Sequence, residues 1–144
     1  MSKVKEVCII EDEVIQVFIL RKFFEKTDMV EKVTVYKNGK DALDSMKKRC
    51  EKNEPMPDII FLDLNMPVLD GWQFFEMFTE LEESHDTRVH VLTSSLSKFD
   101  QEKAIEYGLK NGFYLQKPLS YEKINEILRD YLENEDFGNQ KPTG

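Results

Sequence analysis

Five short apolar runs punctuate the chain, and between them lie longer stretches with apolar residues at helical spacing. The runs are Val7 to Ile10, Val33 to Val35, Ile59 to Leu62, Val89 to Leu92 and Phe113 to Leu115. Each is too short for a helix, and its β-branched and aromatic content predicts a strand. Ile59-Ile60-Phe61-Leu62, apolar at every position, predicts one buried on both faces, as in a parallel sheet.

The first helical stretch runs from about Val14 to Lys26, with Val14, Val17, Phe18, Leu20, Phe23 and Phe24 as its apolar positions. A second follows the Asn38-Gly39 turn through Ala42, Leu43 and Met46 to Cys50. A third follows Gly71 with Trp72, Phe75, Met77 and Phe78, and Asp70 and Gln73 are spaced as a capping pair at its start. Ser97 caps a fourth from about Lys98 to Tyr107, which Gly108 stops, and Ser120 caps a fifth carrying Tyr121, Ile124, Ile127, Leu128 and Tyr131. Five strands alternating with five helices imply right-handed crossovers and a doubly wound α/β fold, a parallel sheet with helices on both faces. No repeat or linker divides the chain. Residues 1–132 are expected to form one domain and 133–144, polar with glycine and proline, a flexible C-terminal tail.

At 144 residues, 40% hydrophobic and 33% charged, the composition is that of a globular domain. The net charge of −8 argues against nucleic acid or an anionic membrane surface as a partner. No signal peptide and no run of membrane-spanning length is present. Cys8 in a buried strand and Cys50 near a helix end do not make a disulfide framework, so a reducing, cytoplasmic location is expected.

Chemistry enters at the strand ends. The first strand runs into Glu11 and Asp12, the third ends at Asp63, the fourth at Thr93 and the fifth near Lys117. Asp63 alone reads best as a turn cap, Thr93 as an ordinary strand-end hydroxyl and Lys117 as a surface lysine before Pro118. Together they change that reading, because a doubly wound sheet carries the carboxyl ends of its strands on one edge, where ligands bind. In the flavodoxin-like strand order 2-1-3-4-5 the first and third strands are neighbours, so Glu11, Asp12 and Asp63 converge. Crowded carboxylates call for a cation, and an all-oxygen donor set suits Mg²⁺. Lys117 and Thr93 add an ammonium and a hydroxyl for phosphoryl oxygens, which makes an arrangement for phosphoryl transfer to a carboxylate.

The set Glu11-Asp12, Asp63-x-x-Met66-Pro67-x-x-Asp70-Gly71, Thr93-Ser94 and Lys117-Pro118 resembles the receiver domain of two-component response regulators, over about Lys5 to Leu132. The resemblance implies that Asp63 accepts a phosphoryl group from a phosphohistidine on a sensor histidine kinase or histidine phosphotransfer protein. It implies Asp12 and Asp63 as direct Mg²⁺ ligands, Glu11 acting partly through water, and Asn65 contributing its backbone carbonyl. Thr93 becomes the switch hydroxyl, Lys117 the partner of a phosphoryl oxygen and Tyr114 the aromatic switch; Phe113 beside it competes for that role, to be decided by strand alternation.

No output segment follows the last helix, so a single-domain response regulator is expected. It is no enzyme beyond its own phosphorylation and dephosphorylation, and it signals through a protein target on the face of helix four, strand five and helix five. A phosphatase with an aspartyl-phosphate intermediate would need an acid where Asn65 stands, and a flavin phosphate would be repelled by Glu11-Asp12-Glu13. A docking module that is never phosphorylated would have no use for the full acid, threonine and lysine set. His85 and His90 read as surface and strand residues rather than phosphate carriers.

Overall fold

A computed structural model describes residues 3–66, 68–94, 97–109 and 112–135. The elements in order are β1 (Val4–Ile10), α1 (Val14–Thr27), β2 (Val30–Tyr36), α2 (Gly39–Glu51), β3 (Ile59–Asp63), α3 (Gly71–Thr79), a short 3₁₀ turn (Glu82–Asp86), β4 (Arg88–Thr93), α4 (Lys98–Glu106), β5 (Tyr114–Gln116) and α5 (Tyr121–Glu135). The sheet has the flavodoxin-like order β2-β1-β3-β4-β5, parallel throughout. β3, at the centre, is buried along its whole length, as its unbroken apolar run requires.

Alternation along the strands divides the core in two. Cys8, Ile10, Ile60, Leu62 and Val91 face α2, α3 and α4. Val7, Ile9, Phe61 and Leu92 face α1 and α5. Phe24, Phe61, Phe74 and Phe78 are fully buried, and each contributes about 2–3 kcal/mol by leaving water.

The caps form as spaced. Asp70 and Gln73 make a reciprocal capping box, Ser97 Oγ accepts from the Asp100 N–H, and Ser120 Oγ accepts from the Lys123 N–H at 3.0 Å. Gly108 ends α4 with φ 71°.

Three features differ from the sequence expectation. The 3₁₀ turn before β4 was not anticipated, since five polar residues carry no periodicity. α5 continues to Glu135, three residues into the expected tail, while 136–144 lie outside the described residues. Val14 and Phe18, counted with the apolar face of α1, are 79% and 59% exposed. Leu20 and Phe24 fix which stripe of α1 turns inward, and Phe18 lies about 100° around the helix from Val17.

Candidate functional site

The carboxyl edge of the sheet gathers the strand-end residues. Glu11 and Asp63 are 3% and 1% exposed, Thr93 is fully buried, and Asp12 is exposed at the rim. One carboxylate oxygen from each of Glu11, Asp12 and Asp63 lies within 4.8 Å of the others. Parallel pairing of β1 with β3 produces this, since it matches Ile10 with Leu62 and so brings the residues just beyond them together.

Lys117 reaches into the cluster from beyond β5. Its Nζ is 3.0 Å from Glu11 Oε1 and 3.3 Å from Asp63 Oδ1. Its backbone N–H donates to the Thr93 carbonyl at 2.7 Å, and a cis Lys117-Pro118 peptide follows. One ammonium thus contacts two of the three clustered carboxylates. Burial pushes Glu11 up to about 7, where the hydrogen bond from Lys117 lowers it and the Asp63 charge raises it again. Burial lowers Lys117, but the Glu11 hydrogen bond and the Asp63 and Glu11 charges outweigh it and leave the ammonium above its ordinary range.

The backbone supports this geometry. The Asn65 N–H donates to Asp63 Oδ1 at 3.1 Å, which holds the Asn65 main chain at the edge of the cluster. A Cβ at position 71 would lie 2.6 Å from Leu64 Cα and 2.7 Å from the Asp63 carbonyl oxygen, so only glycine lets α3 begin this close to Asp63. Between them Val68 and Leu69 both hold left-handed backbone, φ 45° and 64°. Strain in such non-glycine residues, about 1–3 kcal/mol each, characteristically collects beside functional sites.

The two competing aromatics take different surroundings. Tyr114 packs on Trp72, with ring centroids 6.5 Å apart, in the α3/α4 half of the core. Phe113 stacks on His90 at 4.5 Å, and His90 stacks in turn on Phe61 in the other half. His85 is exposed in the 3₁₀ turn, whereas His90 is buried in β4.

Sequence reasoning missed two features. Val14, Ile15, Phe18 and Ile19 form an exposed apolar stripe on α1, beginning two residues after Asp12. The signal was an excess of apolar residues, too many for a single buried face. The Trp72 indole N–H donates to Asp100 Oδ1 at 2.8 Å, joining α3 to α4; 28 residues separate the pair, and no local pattern marks it.

An all-oxygen acid cluster with a lysine and a buried threonine lies at the carboxyl edge of a 2-1-3-4-5 sheet, the edge where doubly wound α/β proteins bind their ligands. The chain belongs to the response regulator receiver domain family, whose model matches residues 7–129. It is 27% identical over 127 residues to a probable methanogenesis regulatory protein, FilR2, of Methanothrix harundinacea (strain 6Ac), a match covering 88% of this chain and 81% of that protein. It spans only 6% to 10% of the histidine kinases that it also matches. Among solved structures, a two-component response regulator from Cytophaga hutchinsonii superposes with TM-score 0.77 at 27% identity, covering 91% of this chain and 98% of that one. The receiver domain of sensor histidine kinase PA1611 from Pseudomonas aeruginosa PAO1, with a magnesium ion coordinated in its active-site cleft, superposes with TM-score 0.73 at 21% identity, covering 92% and 99%.

Proposed function

We propose that this chain is a phosphoacceptor that takes a phosphoryl group on Asp63 from a phosphohistidine on a sensor histidine kinase or a histidine phosphotransfer protein. The observation that carries the reading is the convergence of Glu11, Asp12 and Asp63 within 4.8 Å, with Lys117 Nζ at 3.3 Å from the Asp63 carboxylate. In the reaction an Asp63 carboxylate oxygen attacks phosphorus. The phosphorus–nitrogen bond of the phosphohistidine breaks, and the imidazole leaves with that electron pair.

The donor set fits Mg²⁺, being all oxygen and short of positive charge, and Asp12, Asp63, Glu11 and the Asn65 carbonyl would hold it. When bound, the ion would neutralise charge on the phosphoryl oxygens. Lys117 holds the Asp63 side chain in place and meets a phosphoryl oxygen once one arrives. Thr93, fully buried beside it, supplies the hydroxyl that turns toward the new group. Burial excludes water, which lengthens the reach of each of these charges.

The exposed stripe of Val14, Ile15, Phe18 and Ile19 beside the site supports docking of a helical donor protein there. Output runs through the α4-β5-α5 face, where Phe99 and Ile105 are exposed and Tyr114 acts as the aromatic switch, so the domain signals or relays by protein contact. The charge of −8 disfavours nucleic acid as a target. No described helix is long and apolar enough to cross a membrane, and free Cys8 and Cys50 suit a cytoplasmic setting.

Incubation with Mg²⁺ and acetyl phosphate or phosphoramidate, followed by intact-mass measurement, tests the reading. Wild type should gain one phosphoryl group and Asp63→Asn none. A wild type that gains nothing under any donor overturns it.

A further inference from the structure

Trp72 is the second residue of α3, and Gly71 before it seats that helix directly on the Asp63 and Leu64 backbone. Asp100 lies in the first turn of α4, the helix whose cap, Ser97, closely follows Thr93. Their 2.8 Å hydrogen bond therefore ties the helix after the acid-bearing strand to the helix after the hydroxyl-bearing strand. Those are the two elements that must shift relative to each other if Thr93 is drawn toward a group on Asp63.

The indole is buried and forms the centre of an aromatic wall. It packs on Tyr107 at 5.7 Å, on Tyr114 at 6.5 Å and edge-on to Phe75 at 6.1 Å. The Tyr114 hydroxyl is buried, and among the described residues it has no hydrogen-bond partner. Burial, and then the Asp100 charge, raise the Tyr114 phenol above its ordinary range, so Asp100 acts on both rings. The Tyr114 ring thus packs on the indole that holds Asp100, and in this arrangement the indole N–H is satisfied and the phenol O–H is not.

We propose that the Trp72–Asp100 hydrogen bond is a latch on α4, which holds the helix in its resting position and must open when a phosphoryl group on Asp63 draws Thr93 inward. The latch rests on the phosphoacceptor reading and adds which contact sets the balance between the two states. A contact present in only one of two states biases the equilibrium by its own free energy, so its loss favours the activated form. Asp100 and Trp72 are positioning residues, acting through α4 and Tyr114.

Trp72 is the sole tryptophan, so its emission reports on the latch. The full chain is titrated with beryllofluoride in the presence of Mg²⁺ while the fluorescence is followed. Asp100→Ala should bind beryllofluoride roughly 3- to 10-fold more tightly than wild type, the ratio that one hydrogen bond confined to one state produces. Its unliganded emission should already resemble that of saturated wild type. Asp100→Asn keeps an oxygen for the indole and should restore wild-type behaviour in both readouts.

An Asp100→Ala protein that melts like wild type but binds beryllofluoride with equal or weaker affinity overturns the latch. If Asp100→Ala is poorly folded, Trp72→Phe, which keeps a ring and loses the donor, takes its place, with the rate of phosphoryl gain from acetyl phosphate as the readout. A faster rate supports the latch and an unchanged one overturns it. A wild type that responds to neither beryllofluoride nor acetyl phosphate removes the phosphoacceptor reading and the latch with it, an outcome distinct from a responsive wild type matched by its variants.

Discussion

Glu6 and Glu11 are five residues apart, the first inside β1 and the second just past its end, and both are buried, at 9% and 3% exposure. Their charges are handled in opposite ways. Glu6 accepts two hydrogen bonds from Arg49, at 2.8 and 2.7 Å, and a third from the Thr34 hydroxyl at 2.8 Å. Burial raises its carboxyl, but Arg49 and Thr34 outweigh it and leave Glu6 below the ordinary glutamate range. Glu11 shares one lysine with Asp63, with Asp12 alongside, and is pushed up to about 7. A buried acid with a full set of donors is architecture; one left short of positive charge is built to receive a cation or a proton.

The largest effect is expected where the compensation is complete. Arg49→Met leaves the Glu6 carboxylate buried without its charge partner, and such a break costs about 3 kcal/mol or more. Adding Glu6→Gln should recover much of the loss, since the double variant buries no charge. Denaturant melts of the two proteins check this, and a single variant as stable as wild type would show that the pair contributes little.

The two glutamates also differ in how far sequence alone exposed their surroundings. The five strands were legible because short apolar runs alternate with helical spacing, and the carboxyl-edge residues because each run stops at a polar group: Asp63, Thr93, or the Glu11-Asp12 pair. Parallel topology then collects everything at one edge without any need to know distances. The Glu6–Arg49 pair had no such marker. Its members are 43 residues apart, Glu6 sits inside β1 rather than at a strand end, and only the fold brings α2 over it. Trp72 and Asp100 escaped for the same reason. The exposure of the α1 stripe was not legible because helical periodicity reports that residues share a face, not which face turns inward.

A smaller effect, up to about 3 kcal/mol by linkage, attaches to a third buried titratable group. His90 lies between Phe61 and Phe113, its Nδ1 paired with the Gly112 carbonyl, and burial lowers its pKa to about 4. A carbonyl only accepts, so Nδ1 carries a proton, and the lowered pKa leaves the ring neutral at physiological pH. The unfolded chain takes up a proton near pH 6.5, and the folded protein only near pH 4. The stabilisation is therefore complete above about 6.5 and is lost as the pH falls toward 4. His90→Phe, which keeps the stack, should flatten the melting temperature across that window. A slope unchanged by the substitution would assign it to other groups.

The smallest expected change is the one that separates the two glutamates most sharply. Glu11→Gln removes one of three crowded carboxylates while Lys117 keeps Asp63 at 3.3 Å. Relief of repulsion and of buried charge should stabilise the metal-free protein by about 1 kcal/mol, the gain typical when a strained functional group is neutralised. At Glu6 the same substitution takes an acceptor from a satisfied guanidinium and should destabilise, so one chemical change carries opposite signs at two acids five residues apart. The benefit at position 11 has a functional counterpart: with fewer carboxylates, Mg²⁺ binds more weakly, and the rise in melting temperature on adding Mg²⁺ should shrink relative to wild type. Paired melts of wild type, Glu6→Gln and Glu11→Gln, with and without Mg²⁺, measure both quantities at once. If Glu11→Gln instead lowers stability as Glu6→Gln does, and leaves the Mg²⁺ response intact, then both acids are architectural and the charge imbalance at the carboxyl edge is not a device for binding a cation.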